Sequence, residues 1–250
     1  MRVALLPLLL SIAVLASPVM AGGNPSPDEL VAGTLKTYPS LRSYSDTGVV
    51  LDQFGPKADN VYRHTFKTFF RAPRNFYFEF NADPRSGGDR IVIWCDGGDF
   101  QSWQASSAQH SIYPRGSNTT TQAFLQSAFR TKNSDVLIPA LIFAGGGIVS
   151  TVQEFSEPVQ AATETVTGQP AYKLIGVARS MYAKTQRVTN VRRATVWIDT
   201  KSQLVRKVFE DTPKGLPGSA IMRITTTLEP QANPPLDDKV FQFEVPSNQK

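Results

Sequence analysis

Apolar residues follow different rhythms along the chain, and each rhythm predicts a different element. Val3 to Leu15 is a nearly unbroken apolar run behind Arg2, and Val19-Met20-Ala21 before Gly22-Gly23 is a small-x-small cleavage signal. Residues 1–21 are therefore expected to be an export leader. A membrane anchor is the weaker alternative, because Val3 to Val19 is broken by Pro7 and Pro18 and falls short of the roughly 20 residues a spanning helix needs. The stretch 22–250 is expected to be a single domain. It opens with Ser26-Pro27-Asp28-Glu29, a capping box with proline at the first helical position, followed by the stripe Leu30, Val31 and Leu35 up to Pro39.

From Ser43 the period changes to two. Ser43–Phe54, Val61–Ala72 and Asn75–Asn81 are rich in aromatic and β-branched residues, and Arg90–Cys95 with Phe100–Gln104 predicts a hairpin around Asp96-Gly97-Gly98-Asp99. Helical spacing returns in Thr119–Thr131, which carries Phe124, Leu125, Ala128 and Phe129. A second apolar stretch, Asp135–Ala144, includes Leu141 and ends at Gly145-Gly146-Gly147, which is either a plain helix stop or a hinge. Strand patterns resume at Val159–Val166, Ala171–Ala178, Arg193–Thr200, Leu204–Asp211, Ala220–Leu228 and Val240–Val245. The expectation is a mainly β (α+β) domain of about ten or eleven strands. They should be antiparallel, since most links are too short for a crossover helix.

Composition narrows the function. Of 250 residues 41% are hydrophobic and 19% charged, which excludes a disordered chain. The net charge of +5 would suggest nucleic acid inside a cell, but an exported protein meets anionic lipid head groups instead. The basic run Arg187, Arg192, Arg193, Arg206 and Lys207 is either a solvated sheet face or a membrane-facing patch. Cys95 is the single cysteine, so no intramolecular disulfide forms. His64 and His110 lie in different segments, without a nucleophile phrase around them. Asp96 and Asp99 belong to a turn and lack calcium-loop spacing. We therefore expect no enzyme, no catalytic residue, no metal and no cofactor; an envelope hydrolase is the weakest alternative.

The aromatic strands leave two readings. Phe66, Phe70, Phe76, Phe78, Phe80, Trp94, Trp103 and Trp197 can be an ordinary β core, each ring contributing roughly 1.5–3 kcal/mol, or the wall of an acyl-chain cavity. Met222 and Ile224 share a face on a later strand.

Several phrases, in order, resemble the LolA/LolB-like superfamily of bacterial envelope proteins. They are Phe66 to Phe76 with Arg71-Ala72-Pro73-Arg74, Ile93-Trp94-Cys95-Asp96-Gly97, Trp197-Ile198-Asp199 with Leu204 to Val208, and Phe241 to Pro246. The chain looks closer to periplasmic branches other than the lipoprotein carrier proper. The resemblance implies an unclosed antiparallel β half-barrel around an apolar cavity, with an N-terminal helix and a helical lid. It implies a periplasmic, non-catalytic carrier of lipid or lipoprotein acyl chains between membranes, in outer-membrane biogenesis. Inner- or outer-membrane proteins would be its partners, with peripheral membrane contact and no nucleic acid. The cavity wall would be Phe66, Phe76, Phe78, Phe80, Trp94, Trp103, Trp197, Met222 and Ile224, the lid Phe124, Leu125, Phe129 and Leu141, and the lid latch Arg71 or Arg74. An envelope sensor or regulatory interaction module of the same fold is the competing function.

Overall fold

The computed structural model describes residues 25–55, 59–114, 137–143, 150–182, 187–211 and 221–246. Helix α1 (Pro27–Ser40) begins on its capping box: Glu29 N–H donates to Ser26 Oγ at 3.3 Å, and Ser26 N–H to the Glu29 carboxylate at 2.8 Å. Pro39 stands inside its last turn instead of stopping it.

The strands are β1 (Ser43–Gly55), β2 (Asn60–Arg71), β3 (Asn75–Asn81), β4 (Arg90–Asp96), β5 (Phe100–Gln104), β6 (Gln109–Tyr113), β7 (Phe155–Val166), β8 (Gln169–Tyr182), β9 (Arg187–Asp199), β10 (Val205–Asp211), β11 (Ile221–Leu228) and β12 (Gln231–Ala232). They form one antiparallel sheet in the order β6-β5-β4-β3-β2-β1-β11-β10-β9-β8-β7, with β12 on β1. Two meanders are thus joined along β1, which pairs with β11 from Gly48↔Leu228 to Gly55↔Ile221 and with β12 at Tyr44↔Ala232 and Ser45↔Gln231. The sheet is unclosed, with β6 and β7 as its edges, and has the shape of a half-barrel.

Among the described residues between β6 and β7 are two short helices, α2 (Leu137–Ile142) and α3 (Thr151–Glu154). They pack with α1 on one side of the sheet, here the inner face. Leu30, Tyr38, Ile138, Leu141 and Val152 from the helices join Phe66, Phe76, Phe78, Ile93, Val196 and Ile224 from the strands in one core. All six residues of α2 are apolar (Leu-Ile-Pro-Ala-Leu-Ile), and Ile138, Ala140, Leu141 and Ile142 are buried.

Two further differences from the sequence expectation bear on the edge and the outer face of the sheet. Gln109–Tyr113 is a strand that polar Gln109, His110 and Ser111 disguised, because it is a short edge with little to bury. Val240–Val245 is not a strand: Asp238–Phe241 is a 3-10 turn, and the following residues pair with no strand. After β12 the sequence Asn233-Pro234-Pro235 turns the chain away from the sheet edge and across the outer face. There Phe241 is fully buried against Tyr77, Val92, Trp94 and Trp103, with Leu236, Phe243 and Val245 around it. The outer face of the first meander is therefore covered as well.

Candidate functional site: the inner face of the half-barrel

Strict alternation decides which side chains share the inner face. In β2 and β3 the pairs Phe66↔Phe80, Thr68↔Phe78 and Phe70↔Phe76 place five phenylalanines on it, and β4 continues each row with Ile91, Ile93 and Cys95. Phe66 lies 6.3 Å from Phe78, ring centre to ring centre. Across the β1–β11 seam Ile224, Val208, Val196 and Leu174 extend the apolar surface. Of the wall residues expected from the sequence, Phe66, Phe76, Phe78, Phe80 and Ile224 are brought together here. Met222 is placed in register opposite Phe54, and its side chain is outside the described residues.

The three tryptophans stand elsewhere. Trp94 sits between Ile93 and Cys95, so it faces outward, over Tyr77 in the register and 5.0 Å from Phe243. Trp103 packs on the same ring at 5.5 Å. Trp197 lies between Val196 and Ile198 and also faces outward, donating from Nε1 to Glu164 at 2.8 Å, with Lys207 over its ring at 4.7 Å. These placements remove Trp94, Trp103 and Trp197 from the inner wall. An apolar run such as Ile91-Val92-Ile93-Trp94-Cys95 conceals its two faces when both are covered.

Among the lid residues, Leu141 is fully buried under α2. Phe124, Leu125, Phe129 and the Gly145–Gly147 run lie outside the described residues. Sequence reasoning did not single out Phe143, which follows α2 and enters the aromatic floor with its ring edge-on to Phe70 (5.8 Å), Phe76 (5.1 Å) and Phe100 (6.0 Å). The apolar stretch around it was visible, but the slot that receives it is made by three separate strands.

The two candidate latch arginines take different faces. Arg71 turns outward to the carboxylate of Asp238 and the Leu236 carbonyl, with the Phe241 ring 5.1 Å away, and so clasps the C-terminal segment. Arg74 lies over the Phe100 ring at 5.1 Å, on the ring that also meets Phe143. Its Nε is buried and has no hydrogen-bond partner among the described residues.

Polar groups punctuate the inner face. Asp46 is buried, and Tyr44 Oη donates to its Oδ2 at 2.9 Å. Burial pushes its carboxyl up to about 7, against the opposing hydrogen bonds from Thr68 and Tyr44. His64 accepts the Asp83 N–H at Nδ1 (3.0 Å), lies 3.3 Å from Asp52, and stacks on Phe80. Arg192 meets Glu154 at 3.1 Å and Glu210 at 3.0 Å, while Thr151 donates to Glu210 at 2.7 Å. Helix α3 is thereby tied to β9 and β10 by charge, whereas α2 has only apolar side chains with which to hold the sheet.

Cys95 and the histidines do not assemble. Cys95 faces inward, its thiol donating to the Gly98 carbonyl at 3.5 Å and its pKa raised by burial. His64 is six residues along β2 from Phe70, which shares the cross-strand row of Cys95, and His110 stacks on Trp94 at the outer face. Among the described residues no group of three His, Cys, Asp or Glu is placed to hold a metal, and no helix is long and apolar enough to cross a membrane.

No protein-family model matches the chain, and no curated protein matches it in sequence. Solved structures do. The lipoprotein LppX of Mycobacterium tuberculosis is 17% identical, over 85% of this chain and 99% of that one, with a TM-score of 0.44. LprF of Mycobacterium bovis is 13% identical, over 86% and 97%, with a TM-score of 0.47. A LolA superfamily protein of Nitrosomonas europaea is 12% identical, over 88% and 98%, with a TM-score of 0.30. Each of these likenesses is at low identity and low TM-score, and what the site of this chain can do is a matter of its own residues.

Proposed function

We propose that the protein is an exported, non-catalytic carrier that binds the acyl chain of a lipid or lipoprotein against the inner face of its half-barrel. The observation that supports this most is the roof. One apolar sheet face, carrying Phe66, Phe70, Phe76, Phe78 and Phe80, is covered by short helices and not by a second sheet. Its α2 segment offers only apolar contacts and one inserted ring, Phe143. An acyl chain has the same chemistry as the side chains of α2, so it can exchange with them at little cost. Each buried methylene contributes about 0.8 kcal/mol. In this reading Arg74, beside Phe100 and Phe143, is the arginine that meets the roof, and Arg71 serves the outer face.

Titration with a dansyl-labelled fatty acid tests the proposal. The parent should bind it in an apolar environment, seen as a blue-shifted emission. Phe78→Asp, which places a carboxylate in that wall, should abolish the shift. No fatty-acid binding by the parent, or undiminished binding by a folded Phe78→Asp, would count against the carrier.

A further inference from the structure

The outer faces of the two meanders are treated differently. That of β2–β5 is covered by residues 233–246, whereas that of β7–β9 bears exposed aliphatic side chains: Val159 is 65% exposed, Ile175 47% and Val191 42%. They share one face. Val159 and Ile175 are direct cross-strand partners, and Val191 lies two residues before Arg193, which faces the same way opposite Val177. Arg193 is exposed and points outward, while its neighbour Arg192 points inward to Glu154 and Glu210. Between Ala178 and Ala194 the sequence holds Arg179, Lys184, Arg187, Arg192 and Arg193 and no carboxylate.

We propose that this face of β7–β9 docks on an anionic lipid bilayer, Val159, Ile175 and Val191 entering the head-group layer and Arg193 meeting the lipid phosphates. Aliphatic tips beside the outward Arg193 suit that interface, where apolar burial and attraction to anionic lipid add. The neighbouring edge does not suit strand addition by a second copy or another protein. β7 has irregular register between Ser156 and Val159 and again between Gln160 and Ala162, Pro158 lacks an N–H, and Glu157 has a φ of 54°. The docking face rests on the carrier reading only for its purpose, since a carrier must approach the membranes it serves.

Flotation with phosphatidylglycerol vesicles, and separately with phosphatidylcholine vesicles, reads the proposal. The parent should float with the anionic vesicles, weakening with salt, and not with the zwitterionic ones. Val159→Ser with Ile175→Ser, both exposed and so tolerated by the fold, should lower partitioning, and Arg193→Glu should weaken it about ten-fold or more. Unchanged partitioning of both variants overturns the proposal. So does a parent that sediments as a dimer and becomes monomeric in the serine variant, which would make the face a contact between copies. Dansyl fatty-acid binding by the surface variants should equal the parent's. Loss of vesicle binding with retained fatty-acid binding isolates the docking face, and the reverse pattern, in Phe78→Asp, isolates the wall.

Discussion

Asp46 sits in an apolar row between Tyr44 and Gly48, where a carboxylate loses its water and, among the described residues, no cation shifts its titration. Its folded pKa of about 7 lies above the ordinary 3.8, so the folded state favours the protonated form. The associated stability is complete below about pH 4 and is lost as pH rises through 7, each pH unit between the two removing roughly 1.4 kcal/mol. Asp46→Asn, whose amide oxygen can still accept from Tyr44, should therefore melt above the parent at pH 8 and near it at pH 4. Thermal unfolding at the two pH values checks this; a larger gain at pH 4 has the wrong sign. Gly48 gives a second residue-level test. A methyl group there would overlap the far edge of the Phe66 ring, its Cζ and both Cε atoms. Gly48→Ala should cost about 1–3 kcal/mol by overpacking, and Phe66→Leu in the same chain should recover part of it, a coupling that a double-mutant cycle measures.

At the scale of elements, the two roof helices and the C-terminal segment differ in how they are held. Helix α3 is pinned by Arg192, Glu210 and Thr151; α2 relies on Ile138, Leu141 and Ile142, and on Phe143 after it. If an acyl chain takes the place of Phe143, Phe143→Ala removes contacts of the empty protein alone. It should lower the melting temperature of the empty protein and tighten fatty-acid binding, because a ligand gains affinity when the state it must displace is weakened. Weaker binding would make the ring part of the ligand's seat. The C-terminal segment predicts the opposite pattern. Phe241 is buried on the outer face, so Phe241→Ala should cost about 3–5 kcal/mol in chemical unfolding. The affinity of the folded fraction for fatty acid should stay unchanged.

For the whole molecule, the pairing of β1 with β11 joins residues far apart in sequence, and the inner face is continuous only after that seam forms. Val50 and Ile224, on neighbouring strands of the seam, belong to the same core as α1 and α2. Loss of the seam should thus release both meanders together. Our reading of export makes a separate prediction: amino-terminal sequencing of the protein recovered from the periplasm should begin at Gly22. A chain beginning at Met1 and held in the membrane would overturn it.

Local chemistry made much of this molecule legible beforehand. The capping box of α1, the Asp96–Asp99 hairpin and nearly all of the long strands follow from short-range rules, since caps, turns and alternation depend on residues a few positions apart. Alternation also put Phe76, Phe78 and Phe80 on one face. It could not say which face Trp94 or Trp197 would take. That depends on register against the next strand, a property of pairs of segments, and a slip of one residue exchanges the faces. For the same reason the seat of Phe143, the division of labour between Arg71 and Arg74, and the path of residues 233–246 belong to the tertiary structure. Each is settled by what arrives from a distant part of the chain: three strands around one ring, an acid at Asp238, and an outer face whose tryptophans needed a cover more than the sheet needed another strand.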